Sequence, residues 1–167
     1  MNMIQPGDTM PDARLCRIGD SGPEYLSMSE ICAGGDVALF GLPGAFTRTC
    51  SAAHLPSFMR CAADLRAAGV ARIVCVSVND PFVMKGWDEA TGAGAAGVEL
   101  LADGNSALTR AMGLEFSAPD LGFIDRCRRF SALLREGRVV LLNLEEEPGA
   151  CEISAGETLL DQIRALG

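Results

Sequence analysis

The chain is poor in aromatic residues, in histidine and in basic charge, and these shortages exclude several classes of function. One tryptophan, one tyrosine and one histidine occur among its 167 residues. The 22 acidic side chains outnumber the 14 basic ones, which gives a formal net charge of −8. We therefore expect no binding of nucleic acid or of an anionic membrane surface.

Long apolar runs are also missing, although 49% of the residues are hydrophobic. No run reaches the roughly 18 apolar residues that a transmembrane helix needs. Residues 1–8 have neither the basic nor the apolar region of a signal peptide, so we expect a cytoplasmic protein. The apolar fraction is enough for a hydrophobic core, and the length predicts one domain over residues 1–167.

Cysteine is abundant, but its spacing excludes the common paired sites. No two cysteines have the Cys-x-x-Cys spacing, and His54 is the single histidine, so neither a zinc site nor a dithiol motif is expected. An odd number of scattered cysteines also argues against a disulfide framework. With paired sites excluded, the composition favours chemistry at a single cysteine. Four cysteines are interpreted as small buried packing residues: Cys16, Cys32, Cys61 and Cys127.

Short apolar runs alternate with amphipathic segments from about residue 36 onward, a pattern typical of an α/β fold. Residues 6–26 are predicted to form a loop region. Strands are predicted at 37–42, 73–78, 98–102, 130–134 and 139–144, the last two as a hairpin. Helices are predicted from about residue 55 to Gly69, at 82–89 with Pro81 at the first position, at 106–112, and from a capping box at Ser154 and Glu157 to about Ala165.

Cys50 lies where the first buried strand gives way to a helix. The backbone N–H groups of a first helical turn have no partner within the helix, and with the helix dipole they favour a negative charge. A thiol there has a lowered pKa, and the thiolate is the nucleophilic form. Cys50 is therefore the candidate nucleophile.

Pro43, Thr47 and Cys50 have the spacing Pro-x-x-x-Thr-x-x-Cys. This matches the active-site signature of the peroxiredoxins, and the string from Pro43 to Pro56 resembles their type II, or Prx5-like, subfamily. Further segments resemble the same subfamily in the same order, at 77–87, 101–104, 129–131 and 142–144. The resemblance covers about residues 4 to 165. It implies a thioredoxin-like α/β fold, with a central mixed sheet flanked by helices.

The resemblance also implies a thiol peroxidase acting on hydrogen peroxide and organic hydroperoxides, without metal, haem or flavin. Cys50 would be the peroxidatic cysteine, which is oxidised to sulfenic acid. Thr47 would donate and accept hydrogen bonds at the sulfur and the peroxide, and Pro43 would shield the thiolate from water. Arg129 matches the family's arginine, whose charge stabilises the thiolate and the polarised peroxide. Arg128 would point to the opposite face of a strand.

Regeneration of Cys50 leaves three alternatives. Cys75 matches a cysteine credited with resolving the sulfenic acid in plant type II members. Cys151 falls in the C-terminal loop where mammalian members carry their resolver, about two positions early. In a third scheme glutathione or a glutaredoxin attacks the sulfenic acid directly. Glutathione with glutaredoxin, or thioredoxin, is the expected reductant, and a homodimer is the expected assembly.

Other interpretations compete with this one. A cysteine hydrolase is one alternative, because Cys50 and His54 could form a nucleophile and base pair. The two residues are expected on the same helix, however, and no Asn or Asp is placed to orient the histidine. A supporting role is therefore predicted for His54. Phe46, Phe82 and Trp87 could belong to the core or line a dimer surface. A non-enzymatic redox sensor or holdase is the alternative function.

Overall fold

The computed structural model describes residues 2–147 and 149–167, and the side chain of Cys50 lies outside the described part. The strands are β1 (Arg14–Gly19), β2 (Gly22–Ser27), β3 (Asp36–Leu42), β4 (Val70–Ser77), β5 (Glu99–Ala102), β6 (Glu115–Ala118), β7 (Phe123–Cys127), β8 (Phe130–Arg135) and β9 (Arg138–Leu144). The α-helices are α1 (Met28–Cys32), α2 (Leu55–Ala67), α3 (Pro81–Thr91), α4 (Ala107–Met112) and α5 (Gly156–Leu166). A π-helix spans Cys50–His54, and a 3₁₀ turn spans Pro119–Leu121.

A seven-stranded sheet forms the centre of the fold, in the order β2-β1-β5-β4-β3-β8-β9. Strand β4 runs parallel to both β3 and β5, whereas β8 pairs antiparallel with β3 and β9. The strands β6 and β7 form a separate two-stranded ribbon. The predicted mixed sheet flanked by helices is therefore confirmed.

The central strands are buried on both faces because their apolar runs are continuous. Alternate residues of β3 enter two different cores. Phe40 packs on the side of α2, α3 and α5, and Leu39 packs on the side of α1 and α4. This arrangement holds the end of β3, where the candidate site begins, in a rigid layer. None of the helices in residues 2–147 and 149–167 is long and apolar enough to cross a membrane.

Most elements agree with the sequence predictions. The helix α3 begins at Pro81, and the hairpin of β8 and β9 turns within residues 135–138. The predicted loop at 6–26 is wrong, because β1 and β2 form a hairpin there. These strands lie at the edge of the sheet and are mostly only partly buried, so they lack the continuous apolar run that marks β3 and β4.

The capping box predicted at Ser154 is also wrong. The hydroxyl of Ser154 donates to the carboxylate of Glu145, and α5 begins at Gly156 with Ala155 as its N-cap. Glu157 instead pairs with Arg60 of α2. A capping box is a local pattern, and here a contact with a residue outside the pattern takes its hydroxyl.

Candidate active site

The loop after β3 forms one wall of the candidate site. Pro43 is buried, and its carbonyl accepts a hydrogen bond of 2.9 Å from Nη1 of Arg126. A Cβ on Gly44 would lie 2.5 Å from the same Nη1 and 3.2 Å from the Thr47 methyl group, so a side chain at position 44 would displace both. The amide of Ala45 donates to Oδ1 of Asn79, which ties the loop to the segment after β4.

Thr47 lies at the point where this loop becomes helical. Its hydroxyl donates a 2.6 Å hydrogen bond to the carbonyl of Gly44, and its own carbonyl accepts from the amide of Ser51. Because the hydroxyl proton is directed to Gly44, the remaining lone pairs of Oγ1 are acceptors. The threonine is therefore fixed as a hydrogen-bond acceptor on the cavity wall.

The backbone of Cys50 begins the π-helix in the first turns of a helical stretch that starts at Arg48 and continues into α2. This confirms the predicted passage from strand to helix around residue 50. The predicted orientation of the Cys50 thiol concerns a side chain outside the described part of the structure. One residue later, the hydroxyl of Ser51 accepts a hydrogen bond of 3.1 Å from the Trp87 indole, which joins this turn to α3.

Arg129 lies between β7 and β8, and it is only 2% exposed. Its Nη1 lies 3.0 Å from Nδ1 of His54, and its carbonyl accepts from the amide of Glu145. Arg128 also lies outside the strands, which differs from the prediction, and its guanidinium donates to the carbonyl of Glu145. Of the two neighbouring arginines, Arg129 is the one that lines the cavity.

His54 is fully buried, and its two ring nitrogens have different partners. Nε2 lies 3.0 Å from the carbonyl of Ser154, which can only accept, so Nε2 carries the proton. Nδ1 then accepts from Arg129. Burial first, and then the charge of Arg129, lower the pKa of His54 to about 3, so the ring is neutral. The predicted supporting role agrees with these contacts, since His54 holds the arginine.

A cavity of about 710 Å³ joins these side chains. Pro43, Thr47 and Arg129 line it, although Thr47 and Arg129 are 82 positions apart in the chain. The apolar residues that line it are Phe116, Ala118, Leu121 and Phe123. The cavity therefore combines the buried cation Arg129, the exposed cation Arg48, the hydroxyls of Thr47 and Thr49, and an apolar wall next to the helical turn of Cys50.

The apolar lining residues were not predicted from the sequence, and neither were two residues that hold the loop after β3. Arg126 donates to Pro43 and stacks over the ring of Phe123 at 4.8 Å. Asn79 holds Ala45 and also accepts from the hydroxyl of Ser77 at 2.6 Å. The basic run at 126–129 was the one available signal for Arg126.

The two candidate resolving cysteines lie in very different surroundings. Cys75 is fully buried in the middle of β4, opposite Phe40 of β3 and Leu100 of β5. Cys151 is partly exposed in the loop between β9 and α5. Gly149 in that loop accepts a hydrogen bond of 2.9 Å from the hydroxyl of Thr49, the residue before Cys50.

Comparison with known proteins identifies the family. The Redoxin family model matches residues 5–160. Peroxiredoxin-2E-2, chloroplastic, of Oryza sativa subsp. japonica is 47% identical over 96% of this chain and 72% of its own length. Peroxiredoxin-2C of the same plant is 42% identical over 98% of this chain and 100% of its own length. The chain belongs to the peroxiredoxin family.

Solved structures agree with this membership. Reduced Prx3 of Vibrio vulnificus in complex with hydrogen peroxide superposes with a TM-score of 0.90, at 42% identity, and covers 96% of this chain and 99% of its own. The relatives place this peroxiredoxin in the type II, Prx5-like group. As a peroxiredoxin it is a thiol peroxidase, which reduces peroxides with electrons from a thiol and uses no prosthetic cofactor. The cytoplasmic location stays a prediction, since some relatives are named as chloroplastic and others as mitochondrial.

Proposed function

We propose that Cys50 is the peroxidatic cysteine and that Pro43, Thr47 and Arg129 complete its active site. One observation carries the proposal. The buried guanidinium of Arg129 lines the same cavity as Pro43 and Thr47, next to the helical turn that contains Cys50. A fixed cation, an acceptor and an apolar shield are what the attack of a thiolate on a peroxide requires.

The reaction proceeds by attack of the Cys50 thiolate on one peroxide oxygen. An S–O bond forms while the O–O bond breaks, so the sulfur is oxidised to sulfenic acid and the peroxide is reduced. The departing oxygen takes up a proton from solvent and leaves as water or an alcohol. Thr47 accepts a hydrogen bond from the peroxide and orients it, and Arg129 stabilises the charge that moves from sulfur to oxygen.

The test is peroxide consumption with a thiol donor over many turnovers. We expect Cys50→Ser to abolish turnover, whereas Cys16→Ser on strand β1 retains the wild-type rate. Arg129→Ala should slow the reaction by about two orders of magnitude or more with the fold intact by circular dichroism. Arg128→Ala is its control. A wild type that stops after one equivalent of peroxide would favour a redox sensor or holdase over the peroxidase.

We propose that Cys151, rather than Cys75, resolves the sulfenic acid. The loop of Cys151 contacts Thr49 through Gly149, and Cys151 itself is partly exposed. Cys75 lies inside the sheet, so a disulfide from Cys75 would require local unfolding. Mass spectrometry of peroxide-treated, unreduced protein should find Cys50 linked to Cys151. A link to Cys75, or no internal link, would support the other two schemes.

We propose glutathione with glutaredoxin as the reductant. Attack of the Cys151 thiol on the sulfenic acid releases water and forms a Cys50–Cys151 disulfide, and two thiol groups of the reductant then reduce this disulfide and leave as a disulfide themselves. Thioredoxin is the alternative. Steady-state rates with each system at equal peroxide concentration distinguish them, and a higher rate with thioredoxin would reverse the assignment.

We further propose that residues 1–167 act as one domain and that two copies form a homodimer. Phe46 and Leu121 support the dimer, because they are 58% and 71% exposed around the active-site cavity. Exposed apolar side chains in a cluster are typical of an interface. Trp87 does not contribute, since it is fully buried in the core.

A further inference from the structure

Glu145 lies directly after β9 and is almost fully buried, although its side chain carries a carboxylate. Its Oε2 accepts hydrogen bonds from the hydroxyl of Ser154 at 2.7 Å, from the amide of Ser154 at 2.8 Å and from the amide of Glu152 at 2.8 Å. One carboxylate oxygen therefore links the start of the loop between β9 and α5 to residues near its end. Burial would raise the pKa of Glu145, but these donors together hold it below its usual value, so the group is ionised.

This loop is connected to the active site through Ser154. The Ser154 carbonyl accepts from Nε2 of His54 at 3.0 Å, and Nδ1 of His54 lies 3.0 Å from the Arg129 guanidinium. The amide of Glu145 also donates to the carbonyl of Arg129 at 3.0 Å. Glu145 thus contacts the backbone of Arg129 directly and reaches its guanidinium through two further residues.

The order of the groups in this series matters for the chemistry. A carboxylate next to Arg129 would hold the guanidinium equally well, but it would cancel much of the positive charge that the thiolate and the peroxide need. The neutral imidazole of His54 orients the guanidinium and adds no negative charge beside it. The negative charge of Glu145 is kept away from Arg129, because His54 and Ser154 lie between the two side chains. The Glu145 carboxylate instead accepts hydrogen bonds from Ser154 and Glu152.

We propose that Glu145 is a positioning residue for the peroxidase reaction, which fixes the guanidinium of Arg129 through Ser154 and His54. The proposal rests on the proposed role of Arg129. Without the carboxylate, the Ser154 carbonyl is no longer held opposite Nε2 of His54, and the imidazole loses the contact that fixes its proton on that nitrogen. Nδ1 then no longer presents a constant acceptor to Arg129.

The experiment uses the full chain with Glu145→Ala, and Glu147→Ala as the matched control, because Glu147 is exposed in the same loop. Two quantities are measured: kcat/KM for hydrogen peroxide, and the pH midpoint of Cys50 alkylation by iodoacetamide. We expect Glu145→Ala to lower kcat/KM by about tenfold and to move the alkylation midpoint upward. Glu147→Ala should change neither. Loop destabilisation alone would reduce the active fraction but would leave the midpoint where it is.

A double-mutant cycle with His54→Phe tests the route. If Glu145 acts through His54, Glu145→Ala should have no further effect on kcat/KM once the imidazole has been removed. The proposal is wrong if the loss of kcat/KM in the double variant equals the product of the losses in the two single variants. It is also wrong if Glu145→Ala has the wild-type kcat/KM and the wild-type alkylation midpoint.

Glu145→Gln is the conservative variant, which keeps an acceptor oxygen in place of the charged one. It should recover kcat/KM to within about threefold of the wild type, since the hydrogen bonds persist in weaker, uncharged form. Where Glu145→Ala does not fold, the same cycle is run with Glu145→Met, which has a similar length but no oxygen acceptor, and wild-type values at both readouts decide against the proposal. An inactive wild type would instead contradict the peroxidase chemistry, so the two failures are distinguishable.

Discussion

His54 is a neutral side chain in a position where a cation would be costly. Its ring packs against Phe40 and Phe58, with centroids 5.0 and 5.8 Å away, and it faces the charge of Arg129. A proton on Nδ1 would place two positive charges against each other in the protein interior. Folding therefore selects the neutral imidazole, which becomes a source of acid sensitivity.

The free energy of unfolding should fall in mild acid because of His54. The folded pKa is about 3 and the ordinary value is 6.5, so the unfolded chain binds the proton first as the pH falls. The neutral His54 ring makes its full contribution to the free energy of unfolding above about pH 6.5. This contribution declines by about 1.4 kcal/mol per pH unit between pH 6.5 and pH 3. Urea titrations at pH 7 and pH 5 should show a loss about 2 kcal/mol larger in the wild type than in His54→Gln. Equal losses in both proteins would contradict this.

At the scale of single residues, the sequence predicted those parts of the site that a local motif or a family pattern contains. Pro43 and Thr47 follow from one spacing, and Arg129 from the resemblance, and all three line one cavity. Arg126 could not be predicted in the same way. Its partner, the Pro43 carbonyl, is 83 residues away in the chain, and a backbone acceptor leaves no trace in the sequence.

At the scale of elements, a buried hydroxyl of α2 caps the first turn of α5. Ser57 donates to the carbonyl of His54 at 2.7 Å and accepts from the amide of Gly156 at 2.9 Å. The second bond caps α5 from outside, since its N-cap residue Ala155 has no hydroxyl. The approach is close: a Cβ on Gly156 would lie 2.7 Å from the Ser57 carbonyl oxygen.

We therefore expect Ser57→Ala to destabilise the protein more than an ordinary serine substitution. The change leaves a buried N–H of Gly156 without its acceptor, which costs about 1–3 kcal/mol. Chemical unfolding monitored by circular dichroism measures the difference. Ser21→Ala, in the exposed turn between β1 and β2, is the control and should lie within about 0.5 kcal/mol of the wild type. Similar values for the two variants would contradict the capping role of Ser57.

The elements that were predicted correctly are those with a strong local pattern. The strands β3 and β4 are continuous apolar runs, and α3 begins with a proline after an aspartate that caps it. The strands β6 and β7 were missed because they are short and pair only with each other. The capping box failed for a different reason, since the buried Glu145 competes for the hydroxyl of Ser154.

At the scale of the whole molecule, exposed apolar side chains lie beside the active-site cavity, with Phe46 in the loop after β3 and Leu121 in the turn before β7. Phe46 has a φ of +64°, a left-handed conformation that is unfavourable for an aromatic residue. The fold thus keeps a bulky side chain exposed at a conformational cost. An interface with a second copy would offset that cost.

The proposed dimer should dissociate when this surface becomes charged. We expect Phe46→Asp to shift the mass measured by light scattering from two chains to one, because a charge would be buried at the interface. The monomer should keep its fold, since aspartate tolerates the left-handed region better than phenylalanine does. Tyr25→Asp, on edge strand β2, is the control and should remain dimeric. A wild type that is monomeric at micromolar concentration would refute the proposed assembly.

The π-helix at Cys50–His54 has a consequence for insertions and deletions in chains of this kind. A π turn holds about one residue more than an α turn, and each residue of an α-helix adds about 100° of rotation around the axis. Loss of one alanine, Ala52 or Ala53, would convert the turn to α and remove the extra residue, so residue 50 and His54 would keep nearly the same rotation around the axis. The same loss inside the regular helix α2 would rotate its two sides against each other by about 100°. The π turn is therefore the place where this helical stretch can change its length with least effect on the residues around it.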